Sequence, residues 1–426
     1  MKNHERTNHI KQPSLSPAPL LTEKRIAIIG AGPGGLTLAR LLQMRGADVT
    51  VYERERSPHV RIQGSSLDLH PESGRKALQV AGLEEAFWRV ARPEGETHTI
   101  LDKNGVIQLR IPQIKVLSSK PEIDRGDLRD LLVNSLQLGT ILWDHHFLAL
   151  AATADDRYKL TFEGREPALA DLIIGADGVH SKVRPSVTPI KPVYSGVTLI
   201  QMEVANPKVQ CPQIFQWVNK GNLFVLGDQK GILGQQKGDG NLVVYATAEH
   251  PEDWVATSGI DFTSPEEVKA YLKGAFADWN PVFLRLFEVT QDFAARPLYG
   301  TPIDQHWETQ HHLTLLGDAA HVMPPFAGVG VNMAMQDALE LAECLTNGQY
   351  TTIQQALEHY EQMMLTRTAL AQKKTMDQEE MFHARDALEQ LLKKLLGPWT
   401  PLRHLIPPAI AAFNGLTGWM KPAHYV

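Results

Sequence analysis

The sequence predicts an α/β fold, α+β overall, with a parallel-sheet domain, an antiparallel sheet inserted into it and a long helix after both. Three observations predict it. Residues 25–52 read as strand, glycine-rich turn, helix and strand, a βαβ unit. Two more short apolar runs, at 171–175 and 313–318, have the character of buried parallel strands. Between them, residues 195–250 contain short alternating runs separated by glycine-rich turns, the pattern of antiparallel sheet.

The elements follow in order. Residues 1–22 are polar, carry Pro13, Pro17 and Pro19, and lack the apolar core of a secretory signal, so they read as a disordered tail. The run RIAII is the first strand, and the helix after the turn carries Leu36, Ala39, Leu42 and Gln43 before ending near Gly46. DVTVYE closes the unit. Residues 128–138 place leucines at helical spacing. Beyond Asn332 the chain is mostly helical to about Leu396, with 353–396 as one long helix or two. Met381, Ala384, Leu388, Leu391 or Leu392, and Leu395 fall on one face of it, as expected of a brace packed across both domains. The remaining segment, from Pro398, is apolar and proline-rich, suited to covering a pocket mouth, a dimer contact or a membrane surface.

Composition narrows the class. The chain has 426 residues, 43% of them hydrophobic, and a net charge of −6, which excludes global disorder and argues against a nucleic-acid partner. Two cysteines, Cys211 and Cys344, are too few for a disulfide scaffold or a cysteine-based zinc site. No run reaches the length of a membrane span, since 405–416 is short and holds two prolines. These features describe a soluble, reduced, cytoplasmic protein, a monomer or weak dimer without membrane insertion.

The turn Gly30-Ala31-Gly32-Pro33-Gly34-Gly35 supplies the chemistry. Gly30 permits the tight turn, Gly32 lets backbone approach a pyrophosphate, and Gly35 lets helix and strand pack closely. The helix N-terminus then points its free N–H groups at phosphate charge. Glu53, ending the next strand, is placed to accept the ribose hydroxyls of an adenosine.

Two later motifs separate flavin from nicotinamide nucleotide. Asp177-Gly178 follows the strand at 171–175, and Gly317-Asp318 follows LTLL. With these three motifs in this order, the chain resembles the class A flavoprotein monooxygenases of the para-hydroxybenzoate hydroxylase type. The segments RIQGSSLDLHPESG, PEIDRGDLRDLLVNSL and GDAAHVMPPFAGVGVN further resemble the tetracycline-inactivating monooxygenases of the TetX type, over residues 22–384.

The resemblance implies a discontinuous, Rossmann-like FAD-binding domain (23–80, 117–185 and 295–330), a substrate domain (81–116 and 186–294) and a C-terminal helical region with an extension (331–426). Besides the three glycines and Glu53, it implies FAD contacts at Arg54, Asp68, Arg125, Asp177, Asp318, Pro325, Gly328, Gly330, Val331 and Asn332. It places substrate against Gln201, Asn222, Phe224, Pro325, Phe326, Gly328 and Met381. NADPH would reduce the flavin from a transient dock, and O2 would form a flavin C4a-hydroperoxide that hydroxylates a small polycyclic, phenolic or enolic compound, with tetracycline-like compounds within that range. The cofactor carries that chemistry, so no side chain is singled out as catalytic and no metal is expected. Asn222 and Val243 stand where the TetX type has an arginine and a histidine. Losing such a bond removes roughly 1.5–3 kcal/mol, which counts against tetracycline as the natural substrate.

Two alternatives share the βαβ unit: an NAD(P)-dependent dehydrogenase, and a non-catalytic flavoprotein that sequesters a polycyclic ligand.

Overall fold

The computed structural model describes residues 19–58, 64–112 and 120–397. Most of the expected N-terminal tail and the whole segment from Pro398 lie outside the described residues. Packed chain nevertheless begins at Pro19–Leu21, a short helical turn that buries Leu21.

A five-stranded parallel sheet forms the first layer, in the order Leu313–Leu315, Leu172–Gly175, Arg25–Ile29, Asp48–Tyr52, Ile141–Leu142. Its central strands are rich in β-branched and aliphatic residues because both faces are covered. Register decides where function sits. Ile29 pairs with Gly175 and with Tyr52, and Gly175 pairs with Leu315. The three motifs follow those residues, so all leave the sheet at its carboxyl edge, where open α/β sheets bind ligands. The helices Pro33–Gln43 and Gly330–Thr346 pack on each other over this sheet.

The inserted sheet has seven strands, in the order Phe293–Gly300, Val193–Val204, Leu242–Glu249, Lys230–Gln236, Asn222–Gly227, His98–Asp102, Ile107–Ile111. It is not wholly antiparallel. Asn222–Gly227 pairs in parallel with His98–Asp102, a strand that falls in the chain between the parallel-sheet strands Asp48–Tyr52 and Ile141–Leu142. The sheet also runs past residue 294 to Gly300. Its two faces differ, as alternation requires. One buries Ile200, Met202, Val225, Ile232, Val244 and Ala246 against the helices Pro212–Val218, Pro265–Ala275 and Pro281–Val289. Each of those helices starts with proline, which the first helical position tolerates. The other face looks toward the parallel-sheet domain.

The helix expected at 128–138 runs instead from Arg125 to Asn134. The stretch 353–396 is two helices, Ile353–His383 and Ala387–Leu396. The first buries Tyr360 and Met364 in the parallel-sheet core and Phe382 against the inserted sheet, so it does span both. Cys211 and Cys344 are buried free thiols, both pushed up to about 11 by burial. No helix among the described residues is long and apolar enough to cross a membrane.

Candidate functional site

A cavity of about 760 Å³ lies between the carboxyl edge of the parallel sheet and the open face of the seven-stranded sheet. Its lining begins at the glycine turn. Gly30 has φ +110°, and a Cβ there would meet the Ala176 carbonyl oxygen at 2.3 Å. A Cβ on Gly35 would lie 2.3 Å from the Gly30 carbonyl oxygen. Gly32 differs: nothing in the protein lies within 4 Å of its missing Cβ, and it faces the cavity. The fold therefore requires the first and third glycines, whereas the second leaves space that a ligand would use. Glu53 is buried, with Oε2 accepting the Ala31 N–H at 2.7 Å and Oε1 accepting the Glu55 N–H at 2.9 Å. That fixes an acceptor group behind the turn, although Glu53 itself stands outside the cavity lining. Arg54 is exposed and also outside it.

The other two motifs are held from behind. Asp177 Oδ2 accepts the Lys182 and Val183 N–H groups at 2.7 and 3.3 Å, so this carboxylate closes its own turn while Ala176 and Gly178 face the cavity. Arg184, buried, donates to the Ala319 and Ala320 carbonyls and to Gln305, each at 2.8 Å, and ties this turn to the Gly317-Asp318 turn. Gly317 has φ +60°, and its N–H donates to Asp337 Oδ2 at 2.8 Å. Asp318 opens its carboxyl to the cavity. Enclosure by the surrounding protein raises its pKa, against the charges of His321 and Arg125.

At the far end of the glycine-turn side, Asp68, Arg125, Pro325, Phe326, Gly328, Gly330 and Val331 line the cavity. Asn332 does not. It is fully buried, donating Nδ2 to the Asp68 carbonyl at 2.8 Å and accepting at Oδ1 from the His70 N–H at 2.8 Å and Ser73 Oγ at 3.3 Å. Its side chain clamps the 68–73 segment to the helix start, and its contribution to the cavity is positional.

The sheet side brings in Gln201, Asn222 and Phe224. Met381 packs away from the cavity, in an apolar cluster with Phe326 and Leu391, and its neighbour Phe382 faces inward instead. One residue is 100° on a helix, so the expected position is a single step off. Val243 is buried and outside the lining. Asn222 spends its amide within the protein, donating to the Gly95 carbonyl at 3.1 Å and to Glu122 Oε1 at 3.2 Å.

The donor set and the shape fit an extended dinucleotide: a turn open only at Gly32, a helix N-terminus behind it, Asp318 facing inward, and a second helix start at Gly330. Residues 23–376 match the family described as FAD binding domain. The chain belongs to that family. It is 30% identical to the monooxygenase penA of Penicillium thymicola, over 87% of this chain and 98% of that protein. It is also 30% identical to the 3-amino-4-hydroxybenzoate 2-monooxygenase of Streptomyces cremeus, over 86% and 89%. Two solved structures share the fold. HpxO of Klebsiella pneumoniae, complexed with FAD and uric acid, superposes with a TM-score of 0.74 at 20% identity, covering 93% of this chain and 96% of that one. The tetracycline destructase Tet(51) does so with 0.67 at 19%, covering 93% and 98%. This member of the FAD-binding-domain family is an FAD-dependent monooxygenase of class A, and FAD is its cofactor.

Several cavity residues of this FAD-binding-domain protein escape sequence reasoning. Glu122, Gln235, Tyr245, Arg296, Leu391 and Leu395 all line it. Arg296 Nε donates to Gln201 Oε1 at 2.6 Å, and Tyr245 OH donates to Ser65 Oγ at 3.0 Å. Glu122 is the most perturbed of them. Burial first, then the nearby Asp68 charge, push its carboxyl up to about 8. His98 on the same wall is held down to about 4 by burial and is neutral. The only sequence signal was the position of Glu122 in PEIDR, three residues before Arg125.

Proposed function

We propose that this protein uses NADPH and O2 to hydroxylate a small phenolic, enolic or heteroaromatic compound bound between the flavin and the seven-stranded sheet. The observation that carries this reading is the continuity of one cavity from the glycine turn, past Asp318 and Gly328, to the apolar sheet face. When bound, the flavin supplies the redox chemistry and the activation of oxygen.

The chain's own residues bind, orient and exclude water. The N–H groups of Gly32, Gly34 and Gly35 would receive the pyrophosphate, as a helix N-terminus does for any anion. Glu53 would reach adenosine hydroxyls only through the lone pairs left by the Ala31 and Glu55 N–H groups, and Asp318 and Arg125 would hold the central part of the cofactor. The N–H groups of the helix starting at Gly330 would stabilise negative charge on a ring bound beside them. Phe224, Phe382, Leu391 and Leu395 line the cavity with an apolar wall, which would exclude water from a bound substrate and strengthen polar contacts made there. Gln201 and Arg296 supply polar contact at the open end.

Tetracycline is disfavoured as the substrate. The Asn222 amide is already engaged, and Val243 offers no polar atom. Relatives named for 3-amino-4-hydroxybenzoate and 6-hydroxynicotinate support compact aromatic rings. The test is direct. Purified protein loaded with FAD is screened for substrate-stimulated NADPH oxidation across phenols, pyridones and fused heterocycles. A product heavier by one oxygen atom is expected, and substrate-independent NADPH loss with no such product across the panel would overturn the reading.

A further inference from the structure

Glu122 has no task in the scheme above, yet its setting is built. Its strand, Glu122–Asp124, pairs antiparallel with Ser66–Asp68, and Glu122 stands directly opposite Asp68. Two carboxylates so placed share one face and repel, so their titrations separate. Asp68 takes the cationic partner, with Oδ2 at 3.0 Å from His70 Nε2. Among the described residues Glu122 receives only neutral donors: Asn222 Nδ2 on Oε1 at 3.2 Å and Gln235 Nε2 on Oε2 at 3.0 Å. Arg92, the nearby cation, is committed to Asp124, Ser66 and the Gln236 carbonyl. His98 and Lys120 line the same wall, and Lys120 is set against Asp68 and Glu72 as well.

A protonated carboxyl held by two amides presents, side by side, one O–H donor and one carbonyl acceptor with a lone pair to spare. Among the described residues no protein acceptor is recorded for that proton, and the group lies on the cavity wall. A donor–acceptor pair fixed in a cavity wall is matched by its complement, an adjacent N–H and C=O on a flat ring. We propose that Glu122, oriented by Asn222 and Gln235, is the specificity residue of the pocket and selects ring substrates carrying a lactam edge. This rests on the reading that the sheet end of the cavity holds the substrate. Asn222 and Gln235 are then positioning residues: they act through Glu122. The preference requires the protonated form, which burial and the facing Asp68 favour, because an ionised carboxylate would offer two acceptors and repel the lactam C=O.

The test uses the full-length, FAD-loaded protein and two probes, quinolin-2(1H)-one and its N-methyl derivative. Dissociation constants are read from perturbation of the flavin absorbance spectrum. Wild type is expected to bind the parent lactam at least tenfold more tightly than the N-methyl compound. Glu122→Gln, whose amide still offers one donor and one acceptor, retains the preference. Glu122→Leu abolishes it, with flavin content and unfolding temperature measured on the same samples to show that the variant is folded. Equal binding of both probes by wild type, preference surviving in Glu122→Leu, or no binding of the parent lactam would each overturn the proposal. The monooxygenase reading fails separately: a protein that discriminates the probes but forms no oxygenated product from any compound leaves the role of Glu122 intact.

Discussion

Asp337 accepts the backbone N–H of Gly317 at 2.8 Å, so a fully buried carboxylate on the helix Gly330–Thr346 holds the turn that presents Asp318. The same carboxylate accepts from His321 Nε2 at 2.6 Å and Arg367 Nη2 at 2.7 Å. Burial works against its ionisation, but the charges of His321 and Arg367 more than offset it and hold its pKa at about 2.

Asp337→Asn should therefore destabilise the protein by about 3–5 kcal/mol, the usual cost of leaving a buried partner uncompensated, and weaken FAD binding. Differential scanning calorimetry of apo and FAD-loaded protein measures both. The pH sign follows from a lowered carboxylate pKa. The contribution is present above the ordinary value of 3.8 and is lost as pH falls through about 2. Between pH 4 and pH 2, wild type should lose stability that the variant no longer has to lose.

The two outer glycines and the middle one should behave differently. Gly35→Ala drives a Cβ to 2.3 Å from the Gly30 carbonyl oxygen, backbone that cannot yield cheaply, and should lower the unfolding temperature of the apoprotein markedly. Gly32→Ala has φ −75° and open space around the new methyl. It should leave apoprotein stability within about 0.5 kcal/mol and reduce FAD affinity roughly tenfold or more, about 1.4 kcal/mol. Equal FAD affinity in wild type and Gly32→Ala would show that the cofactor does not approach there.

Glu122 should give an alkaline dependence of stability. Its folded value of about 8 lies above the unfolded one, so its contribution is fully present below about 4.5 and is lost as pH rises through 8. A second group adds to the same slope: Glu379 is pushed up to about 7, by burial first and then by Glu249. Unfolding temperatures from pH 5 to 9 should fall for wild type and fall less for Glu122→Gln. Identical slopes would mean that Glu122 is ionised throughout.

Phe382 closes the apolar wall, with its ring 5.7 Å from that of Phe326 and 6.1 Å from that of Phe224. Phe382→Ala should cost about 3–5 kcal/mol of stability and admit water. The expected kinetic result is a larger share of NADPH consumed without oxygenated product, with KM raised more than kcat is lowered. Unchanged coupling would place the wall elsewhere.

The legible parts of this protein were those whose cause is local. Gly30 is required by its own φ of +110° and Gly35 by the Gly30 carbonyl five residues away, so the chain displays both requirements directly. The buried strands Arg25–Ile29 and Leu172–Gly175 announce themselves by unbroken apolar runs. The resemblance carried Asp318, Arg125, Phe224 and Gln201 to the cavity, but it placed Asn332, Asp177 and Met381 by motif, and only packing shows where their side chains go. Asn332 turns back to clamp the 68–73 segment, Asp177 closes its own turn, and Met381 yields its place to Phe382.

By itself, the sequence determined a glycine-turn βαβ unit, two later strands with their motifs, and an apolar C-terminal helix stripe. Tertiary structure alone decided that the three motifs share one sheet edge, because parallel register aligns Ile29, Gly175 and Leu315. It alone set Glu122 opposite Asp68 and between Asn222 and Gln235. The reason is physical. A backbone turn depends on neighbours in the chain, whereas burial, charge pairing and the wall of a cavity depend on neighbours in space, which strand pairing brings together from distant segments.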